Sequence, residues 1–258
     1  MKGLKYIAKV FGVVSRMWHT KKKLTIITGA NEAYYESMMH NLLESVRRHE
    51  KDVNVVVWDL GLNDRQKEDV INWLSECLWG GVVKELPREE LPPFYADMST
   101  YAFKSYCIYQ TMKMNLSEQY IWLDAGCGLS GSLDAERNLI SRYGFYSPHS
   151  STTCAALTYA TVLDEFGDEY CGYGDKQMLA SGVVGFDIND KKAVAVITDW
   201  YHLTFKKELL APEWSNKENH RQDQSLLSMV YYNHNYKSVP LLERRLYNVR
   251  IHLNKKLS

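Results

Sequence analysis

Ile121-Trp-Leu-Asp124-Ala-Gly126-Cys-Gly128-Leu-Ser-Gly131 is the stretch whose reading decides the fold of this chain. Two readings compete for it. In the first, Gly126, Gly128 and Gly131 form a GxGxxG loop behind an apolar strand, the shape of a cofactor cradle. In the second, the apolar run is a buried strand that delivers one carboxylate, Asp124, at its C-terminal end, where a diphosphate or its metal is met. The first reading makes the glycines functional. The second makes them a turn.

Working outward, residues 24–28 (LTIIT) read as a buried strand followed by a turn at Gly29-Ala30-Asn31. Residues 34–50 have a helical pattern with Met38, Leu42, Leu43 and Val46 on one face. A second strand covers 53–58 and ends at Asp59, a helix covers 67–78, and a short strand at 82–83 precedes Pro87, Pro92 and Pro93. Residues 101–114 form a helix with Phe103, Tyr106, Cys107 and Met112 inward, and 120–123 form the third strong strand. This β-α-β-α-(β)-α-β order predicts an α/β fold with a largely parallel sheet covered on both faces. Ligands of such sheets sit beyond the carboxyl ends of the strands, where Thr28-Gly29, Asp59 and Asp124 all fall. Beyond Asp124 the sequence predicts a helix over 133–143, a polar loop over 147–153 and a single small-residue strand over 178–186 (MLASGVVGF). A helix over 191–203 follows, and His220-Arg221-Gln222-Asp223 opens a last apolar helix over 226–232.

Composition sets the class. With 258 residues, 45% hydrophobic and 24% charged, the chain suits one full-sized globular domain. Its 31 basic and 31 acidic residues cancel, so it lacks the basic surplus that phosphate-backbone binding needs, and no nucleic-acid partner is expected. Cys77, Cys107, Cys127, Cys154 and Cys171 are odd in number and show no zinc spacing, which fits reduced thiols and a cytoplasmic location. No apolar run is long enough to span a bilayer. Residues 1–23 stand apart: seven Lys or Arg and no acid, with Leu4, Ile7, Phe11, Val14 and Trp18 at helical spacing. That is the pattern of a basic amphipathic helix lying on an anionic membrane surface, and a solvated helix packed on the domain reads equally well. The expected organisation is this segment followed by a single domain over 24–258, in a cytoplasmic protein peripheral to the membrane.

A dinucleotide or S-adenosylmethionine loop should lead into a helix and then a strand ending in an acid about 20 residues on. Residues 144–150 (GFYSPHS) offer none, and the loop follows two strand–helix units instead of opening the first. An S-adenosylmethionine-dependent methyltransferase is therefore the alternative reading, with a non-catalytic nucleotide- or glycan-binding module as the other.

Four pieces in order, VVVWDLGL (55–62), YAFKSYCIYQ (101–110), WLDAGC (122–127) and HRQDQSLLS (220–228), carry a resemblance. The chain resembles bacterial and viral nucleotide-diphospho-sugar glycosyltransferases of the GT-A fold, in particular polysaccharide-type transferases. The resemblance implies a Rossmann-like single domain that moves a sugar from a nucleoside-diphosphate donor to a glycan or lipid-linked saccharide acceptor. It places Asp124 and Asp223 at the chemistry, with Asp187 and Asp175 as weaker candidates for the base. On the donor it places Thr28, Gly29, Asn31, Asp59, Lys104, Asp124 and Arg221, and on the acceptor side Ser181 and Gly182. One departure matters. Many such enzymes carry Asp-any-Asp, whose second carboxylate takes the metal, and here the stretch is Asp124-Ala125-Gly126. The implied cofactor, Mn²⁺ or Mg²⁺, would rest on Asp124 and His220, unless Lys104 and Arg221 neutralise the diphosphate without it. Each residue also has a plain structural reading: a solvated helix position for Lys104, a strand-end turn for Asp59, a helix cap for Asp223 and a satisfied core side chain for His220.

Overall fold

The computed structural model describes residues 22–77, 80–95, 97–167, 173–236 and 246–251. The basic segment expected over 1–23 lies outside them except for Lys22 and Lys23, which open the first strand.

Four strands run parallel: β1 (Lys22–Ala30), β2 (Val53–Asp59), β3 (Gly80–Glu85) and β4 (Ser117–Leu123). After β4 come two short strands, β5 (Gly128–Leu129) and β6 (Phe145–Tyr146), then β7 (His149–Thr153), β8 (Gln177–Leu179) and β9 (Val183–Asp187). The main sheet has the order β3-β2-β1-β4-β9-β6, with β9 antiparallel to both its neighbours. Every residue of β2 is buried, as expected for a parallel strand covered on both faces.

Strand alternation sorts the core into two layers. Ile27, Val56, Trp58, Tyr120, Trp122, Val184 and Phe186 face one layer, with the helices α3 (Ala102–Lys113), α6 (Lys191–Leu203) and α8 (Asp223–Asn233). Ile26, Val55, Val57, Ile121, Leu123 and Val183 face the other, with α1 (His40–His49), α2 (Asp64–Glu76) and α4 (Asp134–Tyr143). Two short helices, α5 (Ala160–Glu165) and α7 (Lys207–Leu210), complete the set used below.

Local chemistry places the ends of these elements. Helix α2 starts three residues before the expected point because Asn63 and Gln66 form a reciprocal capping box. Helix α1 is preceded by a π turn, Tyr35–Met39, and Met39, not Met38, takes the buried position next to Leu42, Leu43 and Val46. Helix α4 ends on Gly144 in the left-handed region at φ 75°, where a Cβ would collide with the Asp190 carboxylate. Asp190 in turn caps α6 by accepting from Lys192 N and Ala193 N.

Two expectations are corrected. The polar stretch 147–153 is not all loop, since β7 pairs with β8 in a small second sheet. The run 178–186 is not one strand. It is β8 and β9, which belong to different sheets and are separated by a turn closed by Val183 N donating to Ala180 O at 3.1 Å.

Candidate functional site

The site forms where β4 ends. Trp122 lies in the layer of α3 and α8, and Asp124, two residues on, points the same way. The Asp124 carboxylate, 42% exposed, has Lys104 Nζ at 3.0 Å from Oδ1 and 3.2 Å from Oδ2. Trp122 Nε1 donates to Oδ1 at 2.6 Å. From below, Lys104 Nζ donates to Ser181 Oγ at 3.3 Å and lies 3.5 Å from Asp223 Oδ2. The Lys104 and Asp223 side chains are only 3% and 4% exposed. A buried ammonium is thus held between two carboxylates, one opening to solvent and one sealed in.

Each partner arrives from a different element. Lys104 comes from the first turn of α3 and Asp223 from the first residue of α8. Both helices begin after a non-glycine residue at positive φ: Tyr101 (φ 55°) before α3 and Gln222 (φ 42°) before α8. Such backbone costs about 1–3 kcal/mol per residue and persists only where surrounding structure enforces it. Ser181 and Gly182 form the turn between β8 and β9. Gly182 O accepts from Asp124 N at 2.9 Å, and a Cβ on Gly182 would stand 3.0 Å from Asp124 Oδ2. Glycine here allows the turn to pass directly beneath the carboxylate. Trp200 Nε1 donates to Asp223 O at 2.9 Å and ties α8 to α6.

Charge is unevenly shared. Burial opposes a charge on Lys104, but Asp124 and Asp223 outweigh it and hold the ammonium above the ordinary lysine range. Burial pushes the Asp223 carboxyl up, against the pull of Lys104. One lysine cannot neutralise two carboxylates, and it sits closer to Asp124 than to Asp223. Among the described residues, Asp223 Oδ2 is buried without a well-formed hydrogen bond.

The other expected residues divide. Arg221 is exposed, two residues before Asp223, and its guanidinium makes no ion pair among the described residues. Asn31 caps a helical turn through its side chain, which accepts from Tyr34 N at 3.2 Å. Gly29 is a close-packing position: a Cβ there would come within 2.9 Å of Trp58 O. Thr28 is fully buried, with its hydroxyl unpartnered among the described residues. Asp59 has the turn role, with Oδ1 accepting from Gly61 N at 2.8 Å and Leu62 N at 2.6 Å, and Oδ2 2.6 Å from Lys67 Nζ. Asp187 sits at the far end of β9, paired with Gln119, whereas Val183 at the near end pairs with Leu123. That removes it from the site. Asp175 is exposed in the turn before β8.

His220 is corrected from metal ligand to core side chain. Its Nδ1 accepts from Tyr159 N at 3.3 Å, and its Nε2 lies 3.1 Å from both Leu209 O and Leu210 O. Both nitrogens are committed to backbone in a fully buried ring, and burial lowers its pKa. The donor set does not suit a resident Mn²⁺ or Mg²⁺ either. Among the described residues no three His, Cys, Asp or Glu side chains converge to hold a metal ion. Asp124 already shares both its oxygens with an ammonium. Another cation about 4 Å from that ammonium would be repelled by about 4 kcal/mol per unit charge at an effective dielectric constant of about 20.

The glycine loop is occupied by the chain itself. Gly128 and Leu129 form β5, which pairs with β10 (Val249–Arg250). A Cβ on Gly131 would stand 3.0 Å from Asn248, and Asn248 Nδ2 donates to Ser132 O at 2.7 Å. At the start of α4, Leu133 N donates to the buried Glu50 carboxylate at 2.6 Å. The place where a cofactor phosphate or carboxylate would dock is taken.

Three residues join the site beyond those the sequence names. Trp122 was legible, because it shares a strand face with Asp124. Tyr101 and Lys217 were not: Lys217 Nζ lies 3.4 Å from Tyr101 Oη, and the Tyr101 ring is 5.6 Å from Lys104 Nζ. Nothing local links Lys217 to a helix that starts 115 residues earlier.

No protein-family model matches the sequence, and no curated protein sequence does. Solved structures do match in fold. Apo mouse xyloside xylosyltransferase 1 superposes with a TM-score of 0.55 at 14% identity, covering 84% of this chain and 83% of that one. The bifunctional glycosyltransferase WbbM gives 0.56 at 10% identity over 84% of this chain and 38% of that one. The Streptococcus pneumoniae glycosyltransferase GlyE gives 0.50 at 14% identity over 83% and 44%. The chain therefore spans less than half the length of the last two. The chain shares its GT-A-like α/β fold with these glycosyltransferase structures, as the sequence resemblance implies.

Proposed function

We propose that this protein is a glycosyltransferase that moves a sugar from a nucleoside-diphosphate donor to a glycan or lipid-linked saccharide acceptor. The observation that carries the reading is the Lys104–Asp124–Asp223 cluster at the carboxyl end of β4. It lies where sheets of this kind bind their ligands, in a fold shared with glycosyltransferases. The Asp124 carboxylate, held open to solvent by the buried Lys104, suits the hydroxyl-rich face of a sugar, which exchanges hydrogen bonds with carboxylates.

Transfer breaks the bond between the anomeric carbon and the diphosphate oxygen, and the electron pair leaves on the diphosphate. The acceptor hydroxyl oxygen bonds to that carbon as its proton departs. In an inverting reaction that proton enters the cluster at Asp124, the carboxylate open to solvent, with Asp223 linked to it through Lys104. In a retaining reaction Asp124 faces the oxocarbenium-like sugar and the proton goes to the leaving diphosphate. The raised pKa and unsatisfied oxygen of Asp223, behind Lys104, suit a group that shares a proton with the ammonium rather than one that meets the sugar.

The test is nucleotide release from a panel of UDP-, GDP- and CDP-sugars. One donor should be turned over, and Asp124→Asn and Asp223→Asn should each abolish that turnover while the protein stays folded. Tight S-adenosylmethionine binding without any nucleoside diphosphate binding would sink the reading.

A further inference from the structure

Divalent cations in a diphosphate site do two things: they tether phosphate oxygens to protein carboxylates and they absorb the charge of the leaving group. Here the anchoring carboxylate is already matched to a cation that belongs to the chain. Lys104 Nζ contacts both oxygens of Asp124, and the Trp122 indole N–H donates to Oδ1. The position after Ala125, where a second carboxylate would extend the ligand set, is Gly126. His220 is locked to backbone.

Two further cations are free to meet phosphate from the solvent side. Arg221 is exposed at the entry to α8, with its backbone N fixed by Ser225 Oγ at 2.9 Å. Lys217 is exposed and is tied to the site through Tyr101, whose ring lies 5.3 Å from Lys217 Nζ and 5.6 Å from Lys104 Nζ. Arginine offers a planar fork for phosphate and lysine a point charge.

We propose that this site binds its nucleoside diphosphate without a divalent cation. Lys104 neutralises Asp124 from within the fold, and Arg221 and Lys217 carry the diphosphate. The inference rests on the glycosyltransferase reading and narrows it to metal-independent transfer.

The experiment is isothermal titration of the full chain with UDP, GDP and CDP, in excess EDTA and again with Mn²⁺ or Mg²⁺. The expected result is one nucleotide bound with the same affinity in both conditions. Arg221→Ala and Lys217→Ala, both at exposed positions that spare the core, should each weaken it about tenfold, which is about 1.4 kcal/mol. Binding that appears only with Mn²⁺ or Mg²⁺ overturns this inference and leaves the proposed function standing. Equal binding that survives the Arg221→Ala/Lys217→Ala double substitution overturns the assignment of these cations. No binding of any nucleotide in either condition overturns the proposed function, and this inference with it.

Discussion

Single residues in this protein carry large electrostatic consequences because they are buried. Lys104→Met would leave Asp124 and Asp223 facing each other without their shared cation. Breaking a buried pair from one side costs about 3–5 kcal/mol, so urea unfolding should show a loss of that size. Replacing Asp223 by Leu in the same chain should recover much of it, because it removes the second stranded charge. His220 gives a pH signature. Burial holds its pKa below the ordinary 6.5, so the folded state binds fewer protons than the unfolded chain. Its contribution is complete above the unfolded value and is lost as pH falls through 6.5 towards the folded value. The melting temperature should therefore drop on acidification below that point, and His220→Gln, which keeps one donor and one acceptor, should flatten the profile. An equally steep profile in the variant would assign the acid sensitivity elsewhere. Of these residues, Asp124 and Asp223 were readable in the sequence, since a strand-end carboxylate and an acid opening an apolar helix are both local patterns. The burial of Lys104 was not. Ala102, Phe103, Lys104 and Ser105 are four consecutive buried residues, so α3 lacks the polar stripe from which a solvated lysine is told from a buried one.

At the scale of elements, the β8–β9 turn and the C-terminal strand decide how firmly the site is held. Gly182→Ala would press a methyl against Asp124 Oδ2 at 3.0 Å. The carboxylate must move away from Lys104, and donor turnover should fall about tenfold or more while the melting temperature shifts by about 2–4 °C, the scale of a 1 kcal/mol change in a chain of this size. An unchanged turnover would show that the Asp124 position is not critical. Glu136, fully buried, accepts from Asn248 N at 3.0 Å and so holds the strand that covers the glycine loop. Glu136→Ala should cost about 1–3 kcal/mol and make residues 246–251 sensitive to protease; protection equal to the parent would refute that anchoring. The strands β1 and β2 were legible from their β-branched runs, and β4 from the apolar run 120–123 that ends on Asp124. The Ser181-Gly182 pair was a turn signal inside a run that looked continuous. Strand β7 was hidden because its sequence, HSSTT, is polar and half-exposed, and only pairing with β8 makes it a strand.

For the whole molecule, the sheet order was legible in its parallel half and not in its antiparallel half. Consecutive strand–helix units announce β1 to β4 from local periodicity. The insertion of β9 between β4 and β6 depends on pairings such as Leu123 with Val183 and Phe145 with Phe186, far apart in the chain, which no window of sequence displays. Among the described residues no helix is long and apolar enough to cross a membrane.

The wide sequence separation inside the cluster has a kinetic consequence. Lys104 meets Asp124 across 20 residues but Asp223 only across 119, and Trp200 ties α8 to α6. Contacts of such long range close late and slow the folding of a chain. During refolding, the parallel strands and their helices can assemble while the lysine still has water and one carboxylate for company. The Lys104–Asp124–Asp223 cluster then comes into being last, when α8 closes over α3. Far-UV circular dichroism should regain most of its amplitude before nucleoside-diphosphate binding returns, and the lag should vanish if the site assembles with the sheet.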